Sequence, residues 1–189
     1  MQGYHDLHPS LVRAATSGSS ASLAALFDVD NTLIPGEACE VRSFRYLWRM
    51  ALVGWPELRR SVTWLIRQAS HLSIHPLRER KIYLEGKNPA VIETCAREFF
   101  HHEMLGLLST KGRERPEAHR QSGHQLILVS GAPDFLITPL AESLNVPTLF
   151  AARLERREDI YTGEIIPPLP YGKGKRELVV SHAKEKGIE

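Results

Sequence analysis

Residues 23–27 are apolar throughout, the run stops abruptly at Asp28, and a second carboxylate, Asp30, follows two positions later. A short apolar run of this kind reads as a buried strand with its polar residues at the carboxyl tip. Two carboxylates at such a tip are costly unless something binds them. In Phe27-Asp28-Val29-Asp30-Asn31-Thr32-Leu33, one carboxylate can attack phosphorus to give an acyl-phosphate, while the other protonates the leaving alcohol and later deprotonates water. The plain alternative is an Asp-rich turn that caps the next helix.

Two further segments bear on the same chemistry. Leu126-Ile127-Leu128-Val129 is a second apolar strand, ending in Ser130-Gly131, with Pro133-Asp134 opening a helix beyond it. Exposed amides and helix N-termini bind phosphate, although Ser130 also reads as an ordinary helix cap. Tyr171-Gly172-Lys173-Gly174-Lys175 sets two lysines among glycines ahead of a helix. Isolated lysines are usually only solvated, but a phosphoryl transition state needs a cation to meet its spread negative charge.

The rest of the chain supplies the frame. Residues 1–20 lack periodicity and read as a loosely ordered arm. From 36 to 112 apolar residues recur at helical spacing, as in Phe44, Leu47, Trp48 and Leu52, with Pro56, Pro76 and Pro89 each placed to begin a new helix. About four helices are expected there, as a lobe inserted after the first strand, with Trp48, Trp55 and Trp64 packing it. Residues 115–124 read as a helix and 125–129 as a strand. A helix kinked at Pro139 is expected over 133–144, then a strand over 148–152, a hairpin over 153–166 and a last helix over 175–186. Strands alternating with helices give the α/β class, a parallel sheet core that binds ligands beyond the carboxyl ends of its strands.

Composition excludes several alternatives. Lysine plus arginine number 24 against 22 aspartates and glutamates, so no basic footprint for nucleic acid stands out. No apolar run is long enough for a membrane span, and the N-terminus lacks a signal-peptide pattern. Cys39 and Cys95 have no metal-ligand spacing around them and are expected to be reduced thiols in a cytoplasmic protein.

Together the three segments resemble, in order and spacing, the first three motifs of the haloacid dehalogenase superfamily, and the helical insert resembles its phosphoserine-phosphatase-like branch. The resemblance runs from Leu23 onward. It implies a Rossmann-like parallel sheet core, residues 21–35 and 113–189, with an all-helical cap over 36–112. It also implies a magnesium-dependent phosphatase acting on a small phosphorylated metabolite, phosphoserine or a related compound, through an aspartyl-phosphate. Asp28 would be nucleophile and magnesium ligand, and Asp30 acid/base, its backbone carbonyl also meeting the metal. Thr32 would order the motif loop, Ser130 and the Gly131 amide would hold phosphoryl oxygens, and Lys175, preferred over Lys173, would neutralise charge. Glu37 and Arg80 would grip the amino and carboxylate groups of a serine-like substrate.

The resemblance further implies a fourth, acidic motif that completes the magnesium shell, and after Asp159 the sequence holds no aspartate. The expectation is an incomplete product of a longer gene, with feeble metal binding, low turnover and an unpaired edge on the strand carrying Asp28. The competing expectation is a non-catalytic module that keeps phosphate contacts through Ser130 and Lys175.

Overall fold

The computed structural model describes residues 23–68 and 80–188. The expected N-terminal arm and the expected helix start at Pro76 lie outside the described residues. Four strands form one sheet in the order β1 (Ala24–Asp28), β2 (Gln125–Pro133), β3 (Thr148–Arg157) and β4 (Ile160–Ile166). The first three run parallel, and β4 returns antiparallel to β3 as the expected hairpin, turning at Glu158 and Asp159. The sheet is therefore mixed.

Alternation along β2 explains why it is apolar without a break. Leu126 and Leu128 point into a large core shared with Ala25 and Phe27 of β1, whereas Ile127 and Val129 point to the other face, where Phe150 and Leu178 cover them. Both faces are buried, as a strand between helical layers requires. β1 has a strand partner on one side only among the described residues, and its Leu26 remains 47% exposed.

The inserted segment contributes α1 (Cys39–Arg49), α2 (Trp55–Gln68), a short 3-10 turn (Ile82–Leu84) and α3 (Pro89–Phe99). In α3, Pro89 opens the first turn, the Asn88 side chain accepts from the Val91 amide at 3.3 Å, and Ile92, Cys95, Ala96 and Phe99 form the buried stripe. In α1 the buried stripe is Cys39, Ser43, Tyr46 and Leu47. These two stripes meet, with the Tyr46 and Phe99 rings 5.3 Å apart, and belong to the same apolar core as Leu136 and Leu140 of α5 (Asp134–Ser143). Both cysteines are free and buried, and burial is the main reason the Cys39 thiol is pushed well above its usual range.

Two expectations need correction. The helix read as 115–124 is α4 (Thr110–Gln121), which begins earlier because the Ser109 hydroxyl accepts from the Gly112 amide at 2.9 Å and caps it. Trp55 was expected to pack the insert, yet it is 74% exposed. It stands at the first position of α2, where its ring meets that of Trp48 edge-on at 5.4 Å.

The outer insert is tied down by polar contacts. The Lys81 amide donates to the Gly163 carbonyl at 2.7 Å, and the Gly86 amide to that of Tyr161 at 2.8 Å, which stitches residues 80–87 along β4. Glu57, in the first turn of α2, accepts from the Gly54 amide at 2.9 Å and from Lys87 Nζ at 2.7 Å. The lysine contact, more than any other, holds the Glu57 carboxyl below its ordinary value of 4.5. A lowered carboxyl adds stability above that value and loses it as pH falls through the folded-state value. Glu57→Gln is therefore expected to cost about 1 kcal/mol at neutral pH. The gap should close in strong acid, as measured by urea unfolding at the two pH values.

Candidate active site

The register of β1 against β2 pairs Asp28 with Val129, so Asp28 and the Ser130-Gly131 step emerge together at the carboxyl end of the sheet. Ligands in α/β sheets bind at that end. Strand alternation turns Asp28 toward the face covered by α6 (Gly172–Lys186), in line with Ala24 and Leu26. From the first turn of α6, Lys175 Nζ donates to Asp28 Oδ1 at 2.7 Å. Lys173 is exposed and outside the cavity.

After β1 the chain turns tightly. The amides of Leu33 and Ile34 both donate to the Val29 carbonyl at 3.0 Å, and Asn31 takes a positive φ of 61°, which asparagine tolerates. The turn brings Asp30 under α1, where its Oδ1 accepts from the Cys39 amide at 2.8 Å. The Ala38 side chain provides no cap there, so Asp30 serves one of the unpaired N-terminal amides of the helix from nine residues away. The helix-capping and cavity roles thus fall on one carboxylate. Thr32 is exposed beside this turn and does not line the cavity.

Two glycines let the α6 end close over β2. A Cβ at Gly131 would stand 2.0 Å from the Tyr171 ring, and the Tyr171 hydroxyl donates to the Gly131 carbonyl. A Cβ at Gly174 would stand 2.1 Å from the Leu169 carbonyl oxygen. Ser130 is buried, with its hydroxyl accepting from the Ala132 amide at 3.1 Å, whereas Gly131 and Ala132 face the cavity.

Asp28, Asp30 and Lys175 lie on the wall of a cavity of about 660 Å³ that extends under α1, α2 and the 3-10 turn. Arg80 also lines it, with its guanidinium 3.1 Å from Glu164. Glu37 does not, and its carboxylate pairs with Arg45. Residues 77–79, which precede Arg80, lie outside the described residues.

Sequence reasoning missed a second polar group on this wall. Glu40 accepts from Lys81 Nζ at 2.7 Å and from the Tyr83 hydroxyl at 3.0 Å, and the Lys81 side chain is only 3% exposed. Burial and the neighbouring Glu40 push the Tyr83 phenol well above its usual range, so it stays a donor. Tyr171 was equally unforeseen. Its only signal was its place beside the glycine-lysine run.

Magnesium takes hard oxygen donors and keeps several waters. The Asp28 carboxylate and the Asp30 carbonyl are donors of that kind. No group of three or more histidine, cysteine, aspartate or glutamate side chains converges as a metal cage among the described residues. Nor, among them, is any helix long and apolar enough to cross a membrane.

A strand-tip carboxylate joined to a helix-borne lysine outside the parallel strands defines an α/β protein with its site at the usual end of the sheet. The family model for haloacid dehalogenase-like hydrolases matches residues 25–189, and the chain belongs to that family. It is similar to a phosphoserine phosphatase from Mycobacterium tuberculosis, with 24% identity over 95% of this chain and 61% of the relative. It is also similar to a histidinol-phosphatase from Neisseria meningitidis, with 26% identity over 79% of this chain and 69% of that protein. The chain thus spans about three fifths of the length of the first of these relatives. Among solved structures, a Bordetella pertussis protein of unknown function superposes with a TM-score of 0.75 at 25% identity, covering 89% of this chain and 77% of that one. A phosphoserine phosphatase with a phospho-aspartyl intermediate analogue superposes at 0.57 with 20% identity, covering 90% and 75%, a likeness of fold.

Proposed function

We propose that this protein is a phosphoric monoester hydrolase acting on a small phosphorylated metabolite through an aspartyl-phosphate. The observation that carries this reading is the 2.7 Å contact of Lys175 with Asp28 on the wall of a cavity that also contains Asp30. The free oxygen of Asp28 attacks phosphorus. As that bond forms, the ester P–O bond breaks, and the leaving oxygen takes a proton from Asp30. Asp30 then removes a proton from water, whose oxygen attacks phosphorus and releases inorganic phosphate and the free Asp28 carboxylate.

Lys175, the Gly131 amide and the first-turn amides of α6 meet the charge on the phosphoryl oxygens. The Asp28 carboxylate and the Asp30 carbonyl would hold magnesium, which supplies further neutralisation of that charge. The test is binding of beryllium fluoride, a phosphoryl mimic, to the full chain. Binding that requires both magnesium and Asp28 is expected, and metal-independent binding, or none, overturns the reading.

The absence of a converging metal cage among the described residues favours a second reading, a phosphate-binding module without catalysis. Metal-independent binding of inorganic phosphate that survives Asp28→Asn and fails in Lys175→Ala would identify it.

A further inference from the structure

Resting on the hydrolase reading, we propose that the cavity accepts a bulky, largely apolar alcohol bearing one neutral hydrogen-bond donor, and that Glu40 is the residue that selects it. At about 660 Å³ the cavity is sized for a ligand far larger than a three-carbon amino acid. Beyond the phosphate end its apolar walls are Ala38, Val41, Phe44, Leu58, Ile82 and Tyr83, interrupted by Glu40, Ser61, Arg80 and Lys81. Apolar walls of this extent reward an apolar or aromatic leaving group, at roughly 25 cal/mol per Å² of surface removed from water.

Among these walls the Glu40 carboxylate is an acceptor held in place from two sides. Lys81 binds one of its oxygens and Tyr83 the other, and it is still 25% exposed. An ionised carboxylate only accepts hydrogen bonds, and its remaining lone pairs call for a donor. Lys81 already balances its charge, so a cationic ligand gains little there over a hydroxyl or a neutral N–H.

The polar groups of a serine ester are less well served. Glu37 is paired with Arg45 outside the cavity wall, and Arg80 is engaged by Glu164.

Titration calorimetry on the full chain, with magnesium present, can compare three phosphonates: benzylphosphonate, its 4-hydroxymethyl derivative, and 2-amino-4-phosphonobutyrate as a serine-sized ligand. The hydroxymethyl compound is expected to bind tightest, about tenfold ahead of the amino-acid analogue. Its advantage over benzylphosphonate should shrink severalfold in Glu40→Gln, whose amide keeps one acceptor oxygen and loses the charge. Leu58→Trp, a substitution on the surface helix α2 that narrows the cavity, should weaken both benzyl compounds about tenfold and leave the amino-acid analogue unchanged. This second variant keeps the test decisive if Glu40→Gln fails to fold.

Equal or tighter binding of the amino-acid analogue overturns the inference, and so does indifference of the benzyl compounds to Leu58→Trp. Beryllium fluoride bound through Asp28 alongside such a result would leave the hydrolase reading standing. Failure of both beryllium fluoride and all three phosphonates would remove that reading, and this inference with it.

Discussion

Asp28→Asn is expected to lower phosphate-ester hydrolysis by on the order of a thousandfold or more while the chain stays folded. Asparagine keeps the shape of the side chain but offers no anionic oxygen to attack phosphorus. The structural cost is small because of where the residue stands. Asp28 and Lys175 are 47% and 38% exposed, and an ion pair so open to solvent contributes only about 0–1 kcal/mol. Loss of activity with a melting temperature within a few degrees of the parent therefore identifies a chemical role. Retained hydrolysis in a preparation freed of contaminating phosphatase would remove Asp28 from the mechanism. Asp30→Asn should cost about 10²–10⁴-fold, as expected for general acid/base loss. It should leave α1 in place, because the asparagine carbonyl oxygen can still accept from the Cys39 amide.

The carboxylate end of this site was legible because strand chemistry and charge conflict there. An apolar run that stops at two aspartates has few solutions, and parallel pairing then obliges residue 129 to lie beside residue 28, with Ser130 and Gly131 following at the same end of the sheet. The lysine was legible only through its setting among glycines. What choosing Lys175 means physically is visible only in the fold, where Gly131 and Gly174 permit an approach that any side chain would obstruct.

Glu40, Lys81 and Tyr83 were not legible for a different reason. Glu40 sits on a helix and Lys81 is 41 residues away, so nothing in local spacing separates them from solvated charges. Their meeting depends on residues 80–87 being held along β4, a pairing between segments some 80 positions apart. Glu37 shows the converse. Its position suggested a substrate contact, while Arg45, eight residues later and two helical turns along, binds its carboxylate. A neighbour borne on the adjoining helix α1 outcompetes the cavity.

The second large effect is expected at Gly174, where geometry separates two kinds of crowding. At Gly131 the added methyl group would meet the Tyr171 ring, a side chain that can turn aside, whereas at Gly174 it would meet the Leu169 carbonyl, which is backbone. Backbone cannot rotate away without carrying residues 169–175 with it, and those residues position Lys175. Gly174→Ala is thus expected to cost about 3 kcal/mol, a fall in melting temperature of roughly 6–12 °C for a chain of this size. Hydrolysis and beryllium fluoride binding should weaken together, since the lysine withdraws from Asp28. Gly131→Ala should cost less, and much of its cost should disappear in a Tyr171→Ala background, a coupling that a double-mutant cycle measures directly. Lys173→Ala, altering an exposed residue one position from the same glycine, should leave stability and hydrolysis at parent levels. A Gly174→Ala protein with parent-like melting and metal-dependent binding would show that the closure of α6 onto the strand tips does not hold the lysine in place.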